Sequence, residues 1–237
     1  SGSISLATVY SSNPTISIVA TGGTTSSSGN TEVGSYTITL NLSGGSTNTG
    51  YRIAPPNNRG TLTVSAKALT ISGITASNKT YDGNNTATID YSSAVFTGLV
   101  SGDTVTVTAT GTFSDANVGT GKTVTLSETT GGADEGNYSI TTQGTTTANI
   151  TAKTLTATAD AADKTYDGTT TATVTLTLSG VVGSDSVSST NGATFSQSDV
   201  GTGITATVNS ITLTGDDASN YTISSGQTDT AAITAKA

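Results

Sequence analysis

Four residue types that usually carry chemistry are missing from this chain: it has no cysteine, histidine, methionine or tryptophan in 237 residues. Without cysteine there is no disulfide and no thiol nucleophile, and the redox compartment cannot be read from pairing. The joint lack of cysteine and histidine removes conventional zinc, haem and iron–sulfur sites, together with Ser-His-Asp and Cys-His centres. Only three prolines and eleven Phe and Tyr residues are present. Positive charge is scarce too, eight Lys plus Arg against sixteen Asp plus Glu, a net charge of −8. Such a surface repels phosphate backbones and anionic lipid, which argues against nucleic-acid and membrane partners. No apolar run reaches 18 residues and no signal peptide is recognisable. The chain starts without Met and inside a repeat, which reads as a piece of a longer protein.

What is abundant is threonine, 55 residues, followed by serine and 28 glycines. Leu, Ile, Val and Phe number only 44, near the level that warns of disorder. The net charge is nevertheless small for the length, and the apolar residues alternate with polar ones, a pattern that a solvated tail has no reason to keep. Lean cores of Val, Ile, Ala and Thr methyl groups are expected.

The chain repeats itself. Lys79-Thr80-Tyr81-Asp82-Gly83 returns letter for letter as Lys164-Thr165-Tyr166-Asp167-Gly168. Phe113 answers to Phe195, Val118-Gly119-Thr120-Gly121 to Val200-Gly201-Thr202-Gly203, Asn137-Tyr138 to Asn220-Tyr221, and Ala152-Lys153 to Ala235-Lys236. Offsets of 82 to 85 residues mean repeated domains rather than a solenoid of short units. The expected division is residues 1–67, 68–153 and 154–237, the first a shorter relative of the others. In it, Gly50-Tyr51-Arg52-Ile53 lines up with Asn137-Tyr138-Ser139-Ile140, and Tyr10-Ser11-Ser12-Asn13-Pro14 stands where the others have Tyr-Asp-Gly. Pro55-Pro56-Asn57-Asn58 reads as a hairpin turn. Each Tyr-Asp-Gly reads as a structural turn: Gly supplies φ > 0, Asp bonds local backbone and Tyr buries its ring. Tyr81, Tyr138, Tyr166 and Tyr221 are all expected to be buried, with Phe113 and Phe195.

Period-2 alternation makes the class all-β. Val105, Val107 and Ala109 share one face, Val124 and Leu126 another, and Val174, Leu176 and Leu178 a third. Gly119-Thr120-Gly121, Ser101-Gly102-Asp103, Gly131-Gly132 and Asp216-Asp217 read as turns between strands. No sustained 3.6 period occurs; Tyr91 to Val100 has room for one helical turn. At the boundaries the apolar parity switches, from Leu62, Val64 and Ala66 to Leu69 and Ile71, and from Ala148, Ile150 and Ala152 to Leu155 and Ala157. A one-residue switch moves side chains to the opposite face. The last strand of one domain is therefore expected to run on into the next, with a bulge or twist near Lys67 and Lys153. No Gly/Ser or Pro linker intervenes. Immunoglobulin-like β-sandwiches, or alternatively β-grasp-like sheets, set end to end as an elongated rod, are the expected architecture.

The order Tyr-Asp-Gly, then Gly102-Asp103 or Ser184-Asp185, then Val-Gly-Thr-Gly, Asn-Tyr and a closing Ala-Lys resembles the YDG-type repeats of large bacterial surface and secreted adhesins. The likeness covers residues 68–153 and 154–237, and residues 1–67 resemble the neighbouring MBG-type repeat. It implies an extracellular stalk that holds a terminal binding domain away from the cell, and it brings no catalytic residues.

Carboxylates are the one class of candidate metal ligand. Asp134, Glu135, Asp216 and Asp217 occupy the same place in the two long repeats and could hold Ca²⁺ if enough oxygens converge. Neither run matches an EF-hand loop or a Gly-rich nonapeptide, so polar turns and no cofactor are the expectation. An isopeptide crosslink from Lys79 or Lys164 to Asn137 or Asn220 would need a buried lysine beside an acid; a partly exposed lysine packed beside the tyrosine is expected instead. The overall expectation is a monomeric, non-enzymatic stalk segment whose partners are neighbouring repeats. The alternative is that the repeats themselves bind a glycan or protein.

Overall fold

The computed structural model describes residues 3–4, 15–21, 24–43 and 59–237. Tyr10 to Pro14, Gly50 to Ile53 and the expected hairpin turn at Pro55 to Asn58 lie outside these residues. The described chain is all-β, with two single 3₁₀ turns at Glu135–Asn137 and Ala218–Asn220. Ahead of the first repeat, Ser3–Ile4, Thr15–Thr21, Gly34–Ser43 and Arg59–Val64 form one antiparallel sheet in sequence order.

Each repeat then builds the same five-stranded sheet. In the first, the order is Lys79–Thr80, Thr145–Thr151, Gly119–Gly131, Thr106–Phe113, Thr86–Ala87. In the second it is Lys164–Thr165, Thr228–Thr234, Gly201–Thr214, Ser188–Phe195, Thr171–Ala172. The short Lys-Thr strand pairs parallel to the last strand, Lys79 opposite Ile150 and Lys164 opposite Ile233, while the other pairings given are antiparallel. A smaller sheet accompanies each: Val95–Thr97, Lys67–Ser72 and Tyr138–Thr141 in the first repeat, and in the second the pairs Lys153–Thr154 with Tyr221–Thr222 and Thr156–Ala161 with Val174–Ser179.

The alternation does what period 2 requires. Val105, Val107, Val124 and Leu126 are buried while their threonine neighbours face out. In the second repeat, Phe195, Ile204, Val208 and Ile233 of the large sheet form a core on which Ala159, Ala161 and Leu176 of the smaller strands pack. Two layers closing on one apolar interior is the stable way to bury one face of each sheet. In the first repeat, Leu69, Val105 and Tyr138 are covered by Phe96, Leu99, Val100 and Ile140.

Two local expectations are corrected. Gly119-Thr120-Gly121 is not a turn between strands; it opens the long strand where the register shifts, and Gly201-Thr202-Gly203 does the same in the second repeat. Gly121 and Gly203 take φ of +59° and +64°, so the glycine serves a bulge, which needs the same left-handed backbone as a turn. Tyr91 to Val100 holds no helical turn; it makes a turn and then the strand Val95–Thr97, paired with Ser72 to Thr70. Ahead of the first boundary, Leu62 is 40 % exposed and Val64 half-buried. The parity switch itself is real, since Ile150 and Leu155 are both buried five residues apart. Two residues separate Val64 from Lys67, and Ala152 alone separates Thr151 from Lys153.

By proximity the chain divides into two compact units. One holds residues 1–74, 91–109 and 127–144; the other holds 75–90, 110–126 and 145–237. The division runs through the first repeat rather than between repeats. Each boundary between successive repeats thus lies inside a compact unit, and the side chains found there explain why.

Candidate functional site: an aspartate, an asparagine and a tyrosine at each repeat

Chain geometry brings three landmarks together at one end of each repeat. A turn at Ser101-Gly102 delivers Asp103, and a 3₁₀ turn places Asp134, Asn137 and Tyr138 in succession. The turn closes on itself, Asn137 N–H donating to Asp134 O at 3.0 Å. Asp217, Asn220 and Tyr221 repeat the arrangement, with Asn220 N–H donating to Asp217 O at 3.0 Å.

In the first unit the Tyr138 hydroxyl donates to Asp103 Oδ2 at 2.6 Å and accepts the Val100 N–H at 3.1 Å. The other oxygen of Asp103 accepts Ser28 N–H at 3.1 Å. Asp134 is 2 % exposed; its two oxygens accept Thr104 N–H at 2.7 Å and Ser27 N–H at 2.8 Å. Asn137 Oδ1 accepts Val33 N–H at 2.9 Å. Three side chains of the repeat thus grip three backbone amides of the preceding segment. The two bonds to carboxylates are charge-assisted and the stronger ones, and all three satisfy donors that would be costly to leave unmade.

The second unit uses the same side chains on different backbone. Tyr221 donates to Asp185 Oδ2 at 2.5 Å and accepts Val182 N–H at 2.9 Å. Asp217 accepts Ser186 N–H at 2.8 Å, and Asn220, 2 % exposed, accepts Val118 N–H at 2.9 Å. Here the partner of Asp185 is the first Tyr-Asp-Gly turn: Tyr81 donates to the same Oδ2 at 2.8 Å and meets the Tyr221 ring edge-on at 5.4 Å.

The protonation states follow. Hydrogen bonds from Ser28 and the Tyr138 hydroxyl hold Asp103 at about 2. The Thr104 and Ser27 amides push Asp134 below the ordinary carboxylate range. Burial, reinforced by Asp185, lifts Tyr81 to about 12. Burial and then the neighbouring aspartate lift Tyr138 and Tyr221 as well. Anionic aspartate and neutral phenol are the states that the joint requires.

The sequence-selected residues sort unevenly. Asp82 and Asp167 each accept a turn amide, from Asn84 at 3.1 Å and Thr169 at 2.9 Å, and Gly83 and Gly168 take φ of +79° and +76°. Tyr81, Tyr138, Tyr221, Phe113 and Phe195 are buried, but Tyr166 is 41 % exposed, contrary to expectation. Lys79 and Lys164 are partly exposed, their side chains 18 % and 16 % accessible; each pairs with the turn aspartate, at 2.6 and 2.8 Å, and Lys79 Nζ sits 6.0 Å over Phe113. Of the carboxylates considered for Ca²⁺, Asp134 and Asp217 are spent on backbone amides and Glu135 accepts the Thr130 hydroxyl. No group of three acids fit to hold a metal occurs among the described residues. The sequence places Asp103 in a turn and Asp103 and Asp185 among the landmarks of the resemblance, with no role for either carboxylate. The signal for more was their matching offset of 82, a carboxylate kept ahead of the same strand. Beside the first set lies an open cleft of about 270 Å³, lined by Ser26, Val33, Lys67, Asp103, Asn137 and Tyr138 among others.

An all-β repeat that binds its neighbour through an Asp, Asn and Tyr set defines a tandem-domain protein. The YDG domain family matches residues 65–148 and 151–231, most of the chain, and the chain belongs to that family. Comparison with curated proteins and with solved structures returned no match.

Proposed function

We propose that the chain is a structural stalk segment of a bacterial cell-surface adhesin, with no enzymatic activity, spacing a terminal ligand-binding domain from the cell. In this reading it works outside the cell as a monomer, and its partners are the neighbouring repeats of a longer protein. Residues 1–67 serve as a shorter MBG-type module ahead of two YDG modules. The observation that carries the reading is the joint. At both boundaries the corresponding Asp and Asn bond the preceding segment while the Tyr hydroxyl donates to that Asp from within its own repeat, and the strands on either side are separated by only one or two residues. A spacer needs stiff joints more than it needs a pocket.

Small-angle scattering of the chain tests this. Strands of eight to ten residues at about 3.3 Å each, with their turns, make modules of roughly 35–40 Å, so three in line reach on the order of 110 Å. A single compact globule of this length would measure about 45 Å. A maximum dimension near the larger figure is expected, and one near the smaller figure would end the stalk reading.

The second reading, repeats that themselves bind a glycan or protein, is favoured by the cleft beside Asp103, Asn137 and Tyr138. A glycan array probed with this chain separates the two, since specific binding is expected of the second reading alone.

A further inference from the structure

The two Tyr-Asp-Gly turns have the same backbone frame and opposite environments. Tyr81 N–H donates to Thr151 O at 2.8 Å, and Tyr166 N–H donates to the corresponding Thr234 O at 2.8 Å. Lys79 and Lys164 bridge to Asp82 and Asp167 alike, and the parallel strand pairs match residue for residue. Local structure therefore cannot account for the difference in the rings, 5 % exposed at Tyr81 and 41 % at Tyr166. The cover does. Tyr81 lies under Asp185 and Tyr221, and a Cβ on Gly83 would stand 3.0 Å from the Val182 side chain. A Cβ on Gly168 would meet nothing within 4 Å. The flanking valines differ in the same sense: Val118 is half-buried with its N–H on Asn220, whereas Val200 is 53 % exposed.

We infer that Tyr166, Gly168 and Val200 form a docking face for a further YDG domain, one that presents the counterparts of Asp185, Asn220 and Tyr221. The chemistry of the occupant is set by the occupied copy. It must bring a carboxylate to accept the Tyr166 hydroxyl, a second phenol to meet its ring edge-on, and a side-chain amide oxygen for the Val200 N–H. A second copy of this chain is a poor occupant. Both of its Asp-Asn-Tyr sets are already engaged, one by Ser28 and Val33 and the other by Tyr81 and Val118. The inference rests on the family and the joint, and it stands or falls separately from the stalk reading, which concerns overall dimensions.

Nitration by tetranitromethane with peptide mass spectrometry reads the accessibility of each tyrosine. In the chain as it is, Tyr166 should react readily and Tyr81 at least tenfold more slowly. Residues 155–237 are then added directly after Ala237, which takes the place of Thr154. Tyr166 should now be protected at least tenfold, while its counterpart in the added domain reacts. Making Asp185→Ala and Asn220→Ala in the added domain should restore the reaction of Tyr166. Tyr166 reacting at its original rate beneath an added domain whose core amides are protected from hydrogen exchange would overturn the inference. Should the added domain fail to fold, Asp185→Ala in the unextended chain decides. It should unmask Tyr81 without changing Tyr166, and a Tyr81 that stays protected would show that this cover is not what shields the turn. Sedimentation of the unextended chain should show a monomer; a head-to-tail dimer that protects Tyr166 would assign the face to a second copy and overturn the choice of occupant.

Discussion

Asp103 and Asp185 each receive a tyrosine hydroxyl, and Asp185 receives two on one oxygen. The arrangement favours an ionised carboxyl, because protonation turns one of its acceptor sites into an O–H donor. Asp103 titrates at about 2 in the fold, against about 3.9 in an unfolded chain, and Asp134 is shifted in the same direction. The sign is that of a depressed acid: the contribution of Asp103 is present above about pH 4 and disappears as pH falls through about 2, and that of Asp134 is lost in the same direction. Melting temperature should therefore drop as the chain is titrated from pH 5 towards pH 2. Tyr138→Phe removes the donor to Asp103 and leaves the Val100 amide without its acceptor. That variant should lose about 1–3 kcal/mol at neutral pH and should begin its acid transition nearer pH 4. An acid limb that does not move in Tyr138→Phe would mean that Ser28 alone sets the titration of Asp103.

At the scale of the strand and turn, glycines divide into those that bend the chain and those that let another chain close. Gly121 and Gly203 need φ > 0 for the bulge, yet a Cβ there would meet nothing within 4 Å. Gly121→Ala should cost only the left-handed backbone penalty, about 1–2 kcal/mol. Gly132 and Gly215 also take positive φ, and a Cβ would fall 2.4 Å from Thr104 O and 2.2 Å from Ser186 O. Those carbonyls sit beside the amides that Asp134 and Asp217 hold. Gly132→Ala should cost more than 3 kcal/mol by denaturant melting, because strain and a broken joint add. Equal losses for the two variants would show that backbone angle alone matters. The same contrast explains what was legible. Both kinds of glycine look like turn signals, since sequence reports the need for φ > 0 and not whether the ladder continues past it. Strand faces such as Val105 and Val107 were readable because period 2 is local. Tyr81 and Tyr166 were not distinguishable, because their local sequences agree and the cover on Tyr81 comes from residues a hundred positions away. Asp103 looked like a turn residue for the same reason: the phenol that it accepts lies 35 positions on.

For the whole molecule, the question is how much of each joint depends on strand continuity and how much on the side-chain grip. At the second boundary, Ala152 alone lies between the strand ending at Thr151 and the one starting at Lys153. Four Gly and Ser residues inserted between Ala152 and Lys153 would replace that short link by a coil with a root-mean-square length of about 11 Å. The Tyr81–Asp185 and Val118–Asn220 contacts would then be held at an effective concentration on the order of millimolar rather than by a fixed path. The core of Phe195, Ile204, Val208 and Ile233 lies wholly within the second repeat, so its own melting should be unchanged within about 0.5 kcal/mol. Hydrogen exchange at the Val118 N–H reports the joint directly, and it should speed up at least tenfold in the insertion variant. The end-to-end distribution from paired spin labels should broaden in parallel. If exchange at Val118 is unchanged, the Asp, Asn and Tyr contacts alone hold the repeats together, and the near-continuous strand adds nothing to the stiffness on which a spacer depends.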